Sequence, residues 1–489
     1  MTENTEIGKP CEQYDLMLQD WELIITLLGG TRAMRDAGEK YLPREAAEGL
    51  SAYSARLNRS VLFNGYRDTI QKLCNKPFSK SIIINNLPEE LLYLFDDVDG
   101  CGKTFETLSK ELLEDLINYG KAHIFVDHST IPVDIENPNK VLTKAEEEEL
   151  GLRVYLNRIS PINLIGWQTN KSIMSRTIDL TQIRIHQEIY ESNSEYKQEK
   201  VVYILVYSPN YYAIYKKSIV DGKEVYNLVI EGNFSFGYIP LITIYANQID
   251  VLTSESPLLD LAWLNLAHWQ SSSDQKNILR FSRFGLLFGR GLPKDMVEKG
   301  SIEIGPNKAI LTSDPNADLH YVESTGGGID AGRKDVEAIE LQMEAVGQQP
   351  LVKTIPISTA TGQRIDESRN VSLLQSWVRN LERGLKQTLE LACEWRKIVP
   401  IEEIFVDIFD DFSASIENDV DKNLLISLRS AGEITRRTLL EELNRRNLFN
   451  PNFSVDDELE QLEEEGAKEL ERYMKQLPEK ESETESEEV

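Results

Sequence analysis

LLDLAWLNLAHWQ, residues 258–270, decides how this chain is read. A helix of that sequence is apolar on nearly every face as far as Trp269, and the chain then turns polar at once with SSSDQKN (271–277). A helix that is apolar all round has to be covered on both sides. This one therefore predicts burial between elements of the chain, or between subunits. With Pro257 before it, the helix is expected to run to about residue 281. A Gly- and Pro-rich insert follows to residue 328, with strand-like runs at SIEI (301–304), KAILT (308–312) and LHYVE (319–323). A second helix then sets Val336, Ile339, Met343 and Val346 on one stripe. A helix pair carrying a small insert cannot bury both faces in one copy; side by side around a ring, such pairs can. A helical hairpin inside one large globular domain is the plain alternative.

Upstream, the first hundred residues read as helical. Trp21 to Met34 carries an apolar stripe, and a stretch from about Ala46 to Cys74 sets Phe63, Tyr66, Ile70 and Leu73 at helical spacing. SIII near 81–84 looks like a short strand. Phe105, Leu108, Leu112, Leu116 and Tyr119 predict an amphipathic helix from Thr104 that stops at Gly120. From about 121 to 248 the character is β: AHIFVD (122–127), RVYLNRI (153–159), QIRIHQEIY (182–190), VVYILVY (201–207) and EVYNLVI (224–230). Ser208-Pro209-Asn210 separates two strands, and Asp221-Gly222 is a hairpin signal. KAEEEEL (144–150) reads as a solvated insert.

Downstream, QQPLVKTIPISTAT (348–361) has two prolines and no helical period. A long helix is expected from about Gln363 to Lys397, with Leu374, Val378, Leu381, Leu385, Leu389, Ala392 and Trp395 as its stripe. The tail from Asp456 holds 15 acidic and 4 basic residues; 456–477 keeps a heptad-like seam, and the last dozen residues have a disordered composition. No repeat of 20–50 residues is visible.

With 489 residues the chain exceeds one ordinary core, and 41% hydrophobic residues suffice for two to four units. The formal charge of −28 disfavours a protein whose task is to grip nucleic-acid phosphates, though not one that handles DNA without holding it. Cys11, Cys74, Cys101 and Cys393 lie far apart, as reduced thiols of an intracellular protein would. The polar N-terminus reads as neither a secretory nor a transit peptide, and no apolar run reaches 18 residues. A soluble protein with no membrane partner is expected.

GCGKT (100–104) invites a phosphate-loop reading, but Asp97 stands where the pattern needs its first glycine. Gly102 closing a turn, with Thr104 capping the next helix, is the better reading. His123, His128, His186, His268 and His320 show no metal spacing, and the paired aspartates (96–97, 410–411, 456–457) have no catalytic partner. Gly326-Gly327-Gly328 reads as a flexible exit from the insert. No enzyme, cofactor or metal emerges.

Several segments in order resemble the portal proteins of tailed bacteriophages, from a branch often catalogued only as a domain of unknown function. They are residues 41–80, with Tyr53, Arg56, Arg59 and Asn64 and then Pro77-Phe78; RISPINLIGW (158–167); FGYIPLITIY (236–245); SPLLDLAWLNLAHWQSSSDQ (256–275); IDAGRKDVEAIELQMEAVG (329–347); and STATGQRIDES (358–368). STATG departs from relatives, which tend to carry a Glu before the Thr-Ala.

The resemblance implies an α+β, mainly helical portal fold. Its layout is N-terminal helices and a β-rich wing (1–255), stem helices (256–281 and 329–347) flanking a small clip (282–328), and a tunnel loop (348–362). A long wing helix (363–400), a helical region below the crown (401–455) and an acidic crown helix with a disordered tail (456–489) complete it. It implies a virion protein, assembled in the host cytoplasm as a ring of twelve at one capsid vertex, through which double-stranded DNA passes without tight binding. Implied partners are the terminase large subunit, the major capsid or scaffolding protein, and head-completion or tail-adaptor proteins. Gln348, Gln349, Lys353, Thr354, Ser358, Thr359 and Thr361 are the implied channel residues; Lys353 is the first choice for phosphate contact, set against an intersubunit salt bridge. Leu261, Trp263, Leu264, Trp269, Val336, Ile339 and Met343 are the expected stem-packing residues. The alternatives are another head–tail structural protein, such as an adaptor or scaffold, and a nucleotide-dependent DNA enzyme.

Overall fold

A computed structural model describes residues 6–128, 153–171, 178–194, 196–234, 236–284, 286–291, 314–322, 327–348, 372–410, 412, 419–445 and 454–462. The chain divides into two compact units, Met1–Ile408 and Phe409–Val489. Helices and antiparallel sheets share the first, so the class is α+β.

The N-terminal helices are α1 (Glu12–Leu28), α2 (Gly30–Ala37), α3 (Leu50–Arg59) and α4 (Gly65–Asn75). The single helical stretch expected over 46–74 is thus two helices. Asn64 explains the break: its Oδ1 accepts from the Arg67 N–H at 3.0 Å, an N-cap that starts α4, and Phe63 consequently faces solvent. The 81–84 run falls on a short strand, β1 (Ile83–Asn85).

α5 (Phe105–Tyr119) is the pillar of the core. Phe105, Leu108, Leu112 and Leu116 recur at helical spacing and are all buried. Thr104 Oγ1 caps it by accepting from Thr107 N–H, and Gly120 closes it in the left-handed region at φ 75°. Only glycine fits there, because a Cβ would lie 2.0 Å from the Glu255 carbonyl oxygen.

The chain then runs into β2 (Lys121–His128), β3 (Val154–Ile159), β4 (Leu164–Lys171), β5 (Ile178–Ser194), β6 (Lys197–Ser208), β7 (Tyr211–Val220), β8 (Lys223–Asn233) and β9 (Leu241–Tyr245). Two antiparallel sheets result, ordered β3-β2-β9 and β4-β5-β6-β7-β8. Each strand predicted from 122–127, 153–159, 182–190, 201–207 and 224–230 is present. The β7–β8 turn has Asp221 at φ 51° and Gly222 at φ 74°, the geometry a two-residue hairpin requires. Phe125, Leu164, Ile183, Ile185, Ile239 and Leu252 form one core cluster drawn from both sheets. A small ribbon, β10 (Gln248–Asp250) with β11 (Thr253–Ser254), precedes the next helix.

That helix is α6 (Leu259–Phe284); a second ribbon, β12 (Leu286–Arg290) with β13 (Asp318–Val322), connects it to α7 (Gly327–Gln348). LHYVE falls on β13, whereas SIEI, KAILT and KAEEEEL lie outside the described residues. α8 (Leu373–Arg396) packs Leu374, Val378, Leu381, Leu385, Leu389 and Ala392 fully inside. Its expected start at Gln363 is corrected. Ser372 is extended and makes a capping box with Gln375, which fixes the first turn at Leu373. β14 (Phe405–Asp407) pairs with β1 and completes the first unit.

The second unit contains α9 (Asp419–Ser430) and α10 (Arg436–Arg445), joined through Ala431-Gly432 with Gly432 at φ 78°. Residues 455–462 are helical, and Arg437 reaches Asp456 at 2.6 Å. Most of the acidic tail lies outside the described residues.

Candidate functional site

The helix pair α6–α7 is antiparallel, and polar contacts set its register. His268 Nε2 meets Glu340 Oε1 at 3.0 Å, Ser271 Oγ donates to Asp335 at 2.5 Å, and Gln275 Nε2 donates to the Ile329 carbonyl at 2.8 Å. Gly332 faces the Gln275 amide across the pair, where a Cβ would lie 2.1 Å from its Oε1 and push that flexible side chain aside. The β12–β13 ribbon is continuous with the far end of this pair.

α6 is also clasped by the N-terminal segment. Asn265 accepts from the Tyr66 N–H at 2.9 Å and donates to the Phe63 carbonyl at 2.8 Å. Gln270 donates to the Tyr41 carbonyl, and Ser273 Oγ meets Ser60 Oγ at 2.9 Å. Arg56, buried, forks onto Glu48 at 3.0 and 2.8 Å and reaches Asp274 at 3.2 Å and the Pro43 carbonyl at 2.8 Å. The guanidinium beside Glu48 holds that carboxyl below its usual range, while burial pushes Asp274 up. Tyr53 and Asn64, quoted above with Arg56, bond to the Leu42 and Leu27 carbonyls. Of these four residues Arg56 touches α6 itself, Tyr53 and Asn64 tie the N-terminal segment together, and Arg59 is exposed.

The expected stem-packing residues divide. Leu261, Trp269 and Met343 are buried, and Leu264, Val336 and Ile339 are half-buried. Trp263 instead is 51% exposed. The reason is angular: two positions from Asn265, it points about 200° away from the clasped face. Ile278 shares its side of α6 and is also exposed, while Leu341 stands out from α7 at 67%. Within one copy, therefore, the pair covers its inner faces and leaves large apolar side chains outward. Of the channel residues, Gln348 ends α7 and donates to Glu344 at 3.0 Å. Gln349, Lys353, Thr354, Ser358, Thr359 and Thr361 lie outside the described residues.

The GCGKT turn is already filled by an anion of the chain itself. Asp97 Oδ1 accepts from the Gly100 and Gly102 N–H groups at 2.8 and 3.0 Å, and Asp97 Oδ2 pairs with Arg153 at 2.5 Å. These bonds lower the Asp97 carboxyl to about 2. A phosphate would have to displace a carboxylate that is ionised at any working pH. Sequence reasoning missed this role, although an aspartate three residues before a glycine is a turn signal.

Two buried titratable clusters are structural in form. Lys121 lies between the rings of Trp21 and Trp167 (5.2 and 5.1 Å) and donates to the Leu252 carbonyl, and burial lowers its ammonium to about 7. Asp115 is forked by Arg158 at 2.6 and 2.7 Å, and burial raises its carboxyl to about 6. Burial also holds His123 neutral, and its Nδ1 meets Thr243 Oγ1 at 2.9 Å. Among the described residues no group of three His, Cys, Asp or Glu side chains is arranged to hold a metal, and no helix is long and apolar enough to cross a membrane.

Residues 257–396, which include α6, the ribbon, α7 and α8, match a family described as "Domain of unknown function (DUF4055)". No curated protein matches the sequence. Among solved structures the chain is similar to one in the neck of an empty GTA particle computed with C6 symmetry, at 11% identity and TM-score 0.40, covering 84% of this chain and 97% of that one. It is also similar to a chain in the virion of a native gene transfer agent (GTA) particle, at 11% identity and TM-score 0.38, covering 78% and 89%. A chain in the neck of the native GTA particle, computed with C12 symmetry, is similar at 11% identity and TM-score 0.39 over the same shares.

Proposed function

We propose that this chain is a phage portal protein, a non-enzymatic head–tail component that assembles as a ring of twelve at one capsid vertex and conducts double-stranded DNA. One observation carries the reading. The α6–α7 pair is fixed from inside by Asn265, Gln270 and Ser273, yet presents Trp263, Ile278 and Leu341 outward. Helix pairs placed side by side around an axis cover such faces by copies of themselves. In this reading α6 and α7 are the stem, the β12–β13 ribbon belongs to the clip that receives terminase and later the head-completion proteins, and the sheets with α1–α5 form the wing. Residues 348–362 act as the tunnel loop, with Lys353 touching phosphates transiently.

The charge suits a conduit. Twelve copies at −28 each repel DNA, so the strand slides without the counter-ion release that would make it adhere. ATP chemistry belongs to the docked motor in this scheme, and the Asp97-filled turn is in keeping with that division. Negative-stain imaging of the purified protein tests the reading. Rings with a central hole are expected; a field of compact dimers at every salt and protein concentration would refute it.

A further inference from the structure

Two exposed apolar patches of opposite charge lie on different elements of the first unit. The first follows α8. Lys397, in the left-handed region at φ 55°, closes the helix, with its N–H and that of Ile398 bonded to the Glu394 and Cys393 carbonyls at 3.0 and 2.9 Å. The exit is thereby fixed, and Pro400 stiffens the loop that follows. Val399 and Ile401 project from it, 87% and 102% exposed. Around them stand four carboxylates, Glu390, Glu394, Glu402 and Glu403, against the ammoniums of Lys386 and Lys397. The knob is apolar with an acidic rim.

The second patch is the break between α3 and α4. Ser60 and Leu62 point inward, so Val61 and Phe63 alternate outward, each about half exposed. Three arginines belong to this stretch: Arg35 bonds the Ser60 carbonyl, Arg59 precedes it and is exposed, and Arg67, half-buried, follows in the first turn of α4. Arg35 spends its donors on the Ser60 carbonyl at 3.0 and 2.8 Å, and among the described residues none of the three arginines meets a carboxylate. In a chain of net charge −28, three arginines left without a counter-charge beside two exposed apolar side chains form a basic-rimmed apolar surface. Its complement in charge is the α8 knob.

A chain that bears both halves of a complementary pair binds its own copies head to tail, and such contacts propagate into rings when the rotation closes. We infer that the Val399–Ile401 knob of one subunit seats against the Arg59–Val61–Phe63–Arg67 surface of the next. This rests on the ring proposed above and names a wing contact that helps to hold it. The knob lies at the exit of α8, whereas the basic surface adjoins α6, where the Phe63 ring packs 5.2 Å from that of His268, so the contact extends the outward face of α6.

Charge reversal tests it, with mass photometry as the readout and thermal melts to verify folding. Glu402→Arg and Arg59→Glu, both exposed, are each expected to raise the protein concentration needed for ring formation about tenfold or more, equivalent to roughly 1.4 kcal/mol. The doubly reversed chain, with basic knob and acidic surface, is expected to recover assembly. Wild-type rings that neither single reversal weakens would overturn this contact and leave the portal reading intact. Single reversals that weaken assembly without recovery in the double variant would also overturn it. Wild-type protein that never forms rings would overturn both.

Discussion

The α5–β2 core and the α6–α7 pair are both rich in large apolar residues, yet they spend them differently. α5 is surrounded: α4, α8, β2 and the N-terminal helices cover it, and ten of its fifteen residues are buried. α6 is seated on one side by α3 and α4 and on another by α7, and its remaining face carries Trp263 and Ile278 into solvent. Composition alone does not separate the two regions. The difference lies in what is available within one chain to cover the last face: one region is the core of the subunit, and the other keeps large apolar side chains outward, on the face proposed for assembly.

That contrast can be broken from the core side. Leu112→Ala, at a fully buried position, is expected to lower unfolding free energy by about 2–5 kcal/mol in a denaturant titration. A loss under about 0.5 kcal/mol would mean that α5 is not the pillar described. Arg56→Met removes the buried guanidinium that ties α3 to α6, leaving Glu48 unpaired; about 3 kcal/mol should be lost by the same measurement. If it instead proved neutral, the N-terminal segment would not be the seat of α6.

A pH dependence sharpens the same point. Lys121 is lowered to about 7 in the folded chain and returns to its ordinary value, near 10.5, on unfolding. Between these values the unfolded state binds the extra proton, so wild-type stability rises with pH across that window. Lys121→Met lacks this term. Its stability advantage over wild type should be greatest at pH 7 and shrink by roughly 1–3 kcal/mol by pH 10; parallel curves would contradict the assignment. The smallest expected stability effect is on the outward face of α6. Trp263→Ser should lower the unfolding free energy of the isolated subunit by about 1 kcal/mol, since half of the side chain is already exposed within its own copy.

The elements with strong local signals were legible from the sequence. The Thr104 cap and Gly120 stop define α5, and Asp221-Gly222 defines its hairpin, because caps and turns are written in adjacent residues. The break at Ser60–Asn64 was not legible: Phe63 continues a helical period, and only the competing cap at Asn64 ends it. The Ser372-x-x-Gln375 box did carry the start of α8, hidden behind an apolar period that looked longer. β12 escaped notice because its partner β13 lies beyond a long insert, and pairing over that distance leaves no local mark. At the candidate site, the apolar stripe of α6 was readable, but which of its residues turn outward depends on Asn265, Gln270 and Ser273 meeting residues some two hundred positions upstream.

The most direct measurement is mass photometry of wild-type and Trp263→Ser protein across a range of concentrations. The account predicts a wild-type species near 670 kDa, twelve chains of 55.8 kDa, and a variant that remains a folded subunit at concentrations where wild type assembles. Identical distributions for the two proteins, or a wild-type protein that never exceeds a dimer, would contradict it.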